Sequence, residues 1–170
     1  MDTILLQLPN IQGNSTINGY AGQIILLSFS HGVNMPMGTD VGGTERTLGR
    51  PSFSELSVAK ATDQSTPALY GACAGGTKLG NATITIGRNE GGNFMQLIQY
   101  VLTNAMISAV STSGGGTDAM DSLTLHFSAI TMAYTQQKTD STQNGVASFG
   151  WDIGLNQATG TNQAIAASTS

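Results

Sequence analysis

Charge is scarce in this chain: 6 Lys plus Arg and 10 Asp plus Glu make up 9% of its 170 residues, where soluble proteins ordinarily carry about a quarter. Six cations cannot form the basic stripe that neutralises a phosphate backbone, and with a formal net charge of −4 nucleic acid is not an expected partner. Weak charge also means little self-repulsion, so neighbouring copies can approach closely. Cysteine is almost absent. Cys73 stands alone, which excludes an intramolecular disulfide and a stapled secreted scaffold. No export signal is expected either: Asp2 sits where a secretory leader would be basic, and Gln7, Pro9 and Asn10 interrupt the apolar run at once. Synthesis and folding are therefore expected in the cytoplasm. The stretch between Glu90 and Asp118 has no charge, but Gln96, Gln99, Thr103, Asn104 and Ser108 break any run long enough to cross a bilayer, so no membrane span is expected.

What is present is a chain that is 39% hydrophobic and rich in small polar residues, of a length that encloses one core without staples. Its periodic segments are short, carry Ile, Val, Thr and aromatics, and end at Gly, Asn or Ser, which is how strands between turns read. Strands are expected at 3–8, 23–31, 53–60, 82–87, 95–103, 106–111, 123–136 and 148–156. Met95, Ile98, Leu102 and Met106 also fit a helical period, but the β-branched and aromatic residues that follow without caps favour strand. One short helix is expected, capped by Thr66, with Pro67 in its first turn and Gly75-Gly76 at its exit. In the second strand the period-two rule places Ile25, Leu27, Phe29 and His31 on one face and Ile24, Leu26, Ser28 and Ser30 on the other. Phe29 is then the core residue, and Ser28 and Ser30 face away from it. The Gly-rich connection from Asn34 to Arg50 is longer than an ordinary hairpin loop. Residues 157–170 are small and polar apart from Ile165, and read as a flexible polar tail behind a domain spanning 1–156.

No chemical motif outweighs its bland alternative. Gly71-Ala72-Cys73-Ala74-Gly75-Gly76-Thr77-Lys78 has a phosphate loop's composition but reverses the order of Lys and Thr, and the helix precedes the glycines instead of following them. His31, His126 and Cys73 lie on three separate elements without the paired spacing of a zinc site. Asp63 and Ser65 with a histidine lack a nucleophile elbow and read as turn and cap residues. Asp118 and Asp121 flank a Gly-rich turn without the ligand spacing of a calcium loop, and read as solvated turn residues. The glycosylation patterns at Asn14 and Asn81 need a secretory route that the N-terminus does not provide. Neither cofactor nor metal nor enzymatic activity is expected.

Several segments, taken in order, resemble the haemolysin-coregulated protein (Hcp) family of type VI secretion systems. They are Ile11-Gln12-Gly13-Asn14-Ser15, Leu27-Ser28-Phe29-Ser30-His31-Gly32, Leu56-Ser57-Val58-Ala59-Lys60 and Asp63-Gln64-Ser65-Thr66-Pro67-Ala68-Leu69 with Ala72-Cys73-Ala74-Gly75-Gly76. Ile107 to Thr112 with its Gly114-Gly115-Gly116 turn, Leu123 to Tyr134, and Phe149-Gly150-Trp151-Asp152-Ile153 extend the resemblance over nearly the whole chain. His31 departs from it, standing where an aromatic residue is common, and the 34–50 connection varies among members.

The resemblance implies an all-β fold with one short helix, a compact two-sheet β-barrel assembling into a hexameric ring. Its rings stack into the inner tube of a contractile machine, inside a sheath and behind a spike protein, with small effector proteins carried or chaperoned in the lumen. It also implies a protein that is cytoplasmic before firing and then secreted without a cleavable signal peptide. Ser28 and Ser30 are the candidates for contacting cargo in the lumen. Two other readings stand beside it: a phage-type tail tube, or a soluble ligand-binding barrel. A fused toxin domain would need on the order of a hundred further residues, which the tail does not supply.

Overall fold

The computed structural model describes residues 2–36, 50–116, 118–137 and 143–159. The described residues form twelve strands and one helix. They are β1 (Asp2–Gln7), β2 (Ile24–Leu26), β3 (Ser28–Ser30), β4 (Val33–Asn34), β5 (Ser52–Phe53), β6 (Leu56–Ala61), α1 (Thr66–Ala74), β7 (Gly80–Glu90), β8 (Asn93–Ser113), β9 (Met120–His126), β10 (Ala129–Gln137), β11 (Gln143–Asp152) and β12 (Gln157–Ala158). All pairings are antiparallel. One run of ladders has the order β12-β11-β10-β8-β7-β1-β2, while β3 pairs with β6, β6 with β9 and β9 with β8; β4 and β5 form a separate two-stranded piece.

The expected strands at 95–103 and 106–111 are one 21-residue strand, β8. Its first half pairs with β7 and β10, and its second half with β9. The change of partner falls at Asn104, whose φ of 54° is left-handed, a conformation Asn tolerates better than most residues. It shifts the inward alternation by one position, so that Leu102 and Ala105 are both buried. The Asn104 side chain donates from Nδ2 to Ser128 Oγ at 3.0 Å, tying the corner to the matching break between β9 and β10.

A second corner corrects the expected facing of the 23–31 strand. Ile24 and Leu26 are buried at 0% and 4% exposure, whereas Ile25 and Leu27 are 43% and 54% exposed. β2 pairs with β1 and β3 pairs with β6. Between them Leu27 donates its N–H to Ala59 O at 2.8 Å. Leu27 and Ser28 both point outward, as at a bulge, and the phase slips by one residue. Phe29 therefore does pack against the core, but not on the same face as Ile25 and Leu27.

The expected compact barrel is also corrected. The described residues form two ladders joined through β8 and through the β2–β3 corner, with no closed barrel. Their shared core holds Leu6, Ile24, Leu56, Leu69, Ile84, Leu102, Leu123, Leu125 and Ile130. Helix α1 packs against β8 and buries Leu69 and Ala72. Thr66, expected as the cap, is its first residue; the Ser65 N–H is satisfied instead by Asp63 Oδ1 at 2.9 Å. The exit follows expectation, with Gly75 N–H donating to Gly71 O at 3.0 Å and Gly76 at φ 59°. Gln157 and Ala158, from the expected tail, pair with Asp152 and Trp151. The rest of that tail, residues 160–170, and residues 37–49 of the long connection lie outside the described residues.

Candidate functional site

The β3-β6-β9-β8 sheet has two faces of opposite character, and register explains both. One cross-strand row is Phe29, Val58, Leu123 and Val110, and the next is Leu56, Leu125 and Ile107. These side chains are buried in, or packed against, the core. The intervening rows point the other way, because side chains alternate along a strand. They are Ser30, Ser57, Thr124 and Ala109, then Ser28, Ala59, Ser122 and Ser111. Ser28, Ser30, Ser108, Ala109, Ser111 and Ser122 are exposed. A bulge between Ile107 and Ala109 turns Ser108 outward as well, where its Oγ lies 2.6 Å from Thr124 Oγ1 and donates to Glu55 Oε2 at 2.8 Å. The result is a wall of short hydroxyl and methyl side chains, with one carboxylate at its rim.

Ser28 and Ser30 thus stand on the face opposite the core, side by side with Ala59 and Ser57. Their partners on β6, β9 and β8 were not singled out from the sequence, although the same alternation in Leu56-Ser57-Val58-Ala59 and Ser122-Leu123-Thr124-Leu125 carries the signal.

At one end of the core face the row Lys60, Asp121 and Thr112 is polar. Lys60 and Asp121 are at 0% and 1% exposure, joined by an ion pair of 2.9 Å. Lys60 Nζ also reaches Asp63 Oδ1 at 2.9 Å, Thr66 Oγ1 at 3.2 Å and the Ala61 carbonyl at 3.2 Å. Asp121 accepts further hydrogen bonds from the hydroxyls of Thr66 at 2.6 Å, Thr112 at 2.8 Å and Thr62 at 2.9 Å. Burial alone would raise the Asp121 carboxyl, but the donors from Thr66, Lys60, Thr112 and Thr62 outweigh it and lower its pKa to about 2. Asp121 is therefore not the solvated turn residue expected. It sits inward because it shares the buried face of β9 with Leu123 and Leu125, as Lys60 shares that of β6 with Leu56 and Val58. Asp118, just before β9, is exposed.

Of the other residues considered from the sequence, Asp63 and Ser65 meet without a histidine hydrogen-bonded to either. Asp63 accepts from the Ser65 backbone and hydroxyl within this network, while His31 lies among the rings of Phe53, Tyr100 and Phe127. His126 is exposed on β9 and Cys73 half-buried on α1. Among the described residues no three His, Cys, Asp or Glu side chains group as a metal site would require, and no helix is long and apolar enough to cross a membrane.

Known proteins resemble this chain in sequence and in fold. A family model described as "Type VI secretion system effector, Hcp" matches residues 5–134. Protein hcp1 of Pseudomonas aeruginosa is 30% identical over 156 residues, covering 90% of this chain and 96% of its own. Among solved structures, that of a type six secretion system protein shares the fold with a TM-score of 0.86 at 20% identity, covering 94% of this chain and 100% of its own. Hcp1 from Salmonella typhimurium does so with a TM-score of 0.73 at 22% identity, over the same shares.

Proposed function

The chain belongs to the Hcp family of type VI secretion system proteins, a structural rather than an enzymatic family, and from that premise we propose that it is a subunit of the secretion tube. Copies close into a hexameric ring, the rings stack, and the column carries small effector proteins in its lumen. The contractile sheath around the column and the spike at its tip are the partners of this reading, and proteins of the family are secreted.

The observation that carries the reading is the two-faced β3-β6-β9-β8 sheet. A wall that guides cargo needs side chains too short to obstruct passage, yet able to donate and accept hydrogen bonds. Serine and threonine hydroxyls do both. Ser28 and Ser30, with Ser57, Ser122, Thr124 and Ser111 beside them, are the residues we assign to the lumen. A channel-facing sheet must also hold its shape without support from outside, and the apolar rows beneath this one give it that backing.

Closing a ring by cyclic symmetry requires two different patches on each subunit that fit one another. The low charge of the chain favours such close approach. Light scattering of the purified protein at micromolar concentration tests the reading: the expected mass is that of six chains of 17.5 kDa. A stable monomer would instead favour a soluble ligand-binding barrel, and electron microscopy distinguishes stacked rings from isolated ones.

A further inference from the structure

His31 occupies a place built for an uncharged ring. It follows Ser30 at the end of β3, and its imidazole meets three aromatic rings from three separate segments. Phe53 on β5 stacks with it at a centroid distance of 6.2 Å, Phe127 between β9 and β10 lies tilted at 5.7 Å, and Tyr100 on β8 meets it edge-on at 6.5 Å. Tyr100 in turn holds Phe29 at 5.6 Å. Residues 29 and 31 are thus the two pins by which β3 is fixed to the rest of the molecule from its inner side. Just beyond, Gly32 and Ser54 close the strand end: Gly32 N–H donates to Ser54 Oγ at 2.9 Å, and Ser54 N–H donates to Gly32 O at 2.9 Å.

The His31 Nε2 atom is buried and has no hydrogen-bond partner. In the neutral ring that is one unfilled polar atom, a modest cost. As an imidazolium it would be a charged donor with no acceptor, a far larger one. Among the described residues no carboxylate is hydrogen-bonded to the ring to offset that. On β8 the titratable neighbour is Tyr100, a neutral phenol whose pKa burial raises further from its ordinary 10. Beyond β5, the Glu55 carboxylate accepts from Ser108. Before it, Arg50 donates to the carbonyls of Ile153 and Gly154. Next to Phe127, His126 is exposed on β9.

We propose that His31 is a pH-sensitive latch, which pins β3 to the aromatic cluster while its ring is neutral and loosens the strand when the ring takes up a proton. Cation–π attraction from the surrounding rings opposes this release. Burial, however, lowers the His31 pKa from its ordinary 6.5, so the neutral form is the one the fold favours. The unfolded chain then binds more protons than the folded one below that pH, and stability falls as the pH falls.

The latch itself is independent of ring formation; only its effect on the lumen-facing serines rests on the proposed tube. The test is therefore made on folding and on mass separately. With two histidines in the chain, His126→Gln leaves one imidazole, whose NMR resonance is followed against pH in the folded protein. Urea denaturation midpoints are measured from pH 7.5 to pH 5 for the natural chain, His126→Gln and His31→Phe, and light scattering follows the mass over the same range. Three results are expected: His31 titrates below 6.5, the midpoint falls toward pH 5 in the natural chain and His126→Gln, and His31→Phe flattens that dependence. A folded-state His31 titrating at or above its ordinary value, or parallel profiles for the natural chain and His31→Phe, would overturn the latch. A monomeric mass at every pH would overturn the tube reading and leave the latch standing.

Discussion

At the scale of single residues, the most consequential feature is a lysine where a hydrophobic side chain would be expected. Lys60 is fully buried at the end of an apolar row and is held by Asp121, Asp63 and Thr66. Removing one partner of such a pair strands the other charge in a low-dielectric setting, whereas removing both removes the desolvation cost as well. Lys60→Met should therefore lower unfolding stability by about 3–5 kcal/mol. Lys60→Met combined with Asp121→Leu should recover most of that loss, because Asp63 keeps the Ser65 N–H and hydroxyl as donors. Urea denaturation of the two variants checks this. If the double substitution is no more stable than the single one, the loss comes from packing rather than from an unpaired charge.

At the scale of elements, β3 is only three residues long, yet it carries both candidate lumen residues on one side and a core anchor on the other. Its neighbour β6 alternates in the same way, and Ser30 lies opposite Ser57. Ser30→Gln places a longer polar side chain on the exposed face without touching the apolar row below, and a surface change of this kind costs within about 0.5 kcal/mol. Ring mass and melting behaviour should be unchanged, while co-purification of a lumen-bound effector should fall. Should Ser30→Gln break the ring instead, the hydroxyl face belongs to a subunit contact and the cargo surface must lie elsewhere. The same element-level logic explains why Phe29 could be placed from the sequence while Ile25 and Leu27 could not. Alternation holds within a strand, and Leu27 is where one strand ends and another begins.

At the scale of the whole molecule, stability against pH adds up over every group whose proton affinity changes on folding. For Asp121 the sign is fixed by its lowered pKa, from an ordinary 3.8 to about 2. Its contribution is fully present above about pH 4 and is lost as the pH falls through the folded value. That contribution amounts to about 2 kcal/mol. The natural chain should thus lose stability in an acid step between pH 4 and pH 2 that Asp121→Asn lacks, measured by urea midpoints at fixed salt. Asp121→Asn and His31→Phe each remove one of the two groups, so their contributions are separable by variant.

The sequence by itself determined the mostly-β character, the place of the short helix, the absence of the residues for a stapled or basic surface, and the family resemblance. These rest on local period, turn residues and segment order, all written along the chain. It also placed Ser28 and Ser30 away from Phe29, since that relation lies within one short strand. Only the tertiary structure decided the corners at Leu27 and Asn104, because a strand changes phase where its pairing partner changes, and pairing joins residues distant in sequence. For the same reason Asp121 read as a solvated turn residue until Lys60, sixty-one positions away, was found opposite it. The burial of a charge depends on what faces it across the sheet, and that is set by register rather than by the residues on either side.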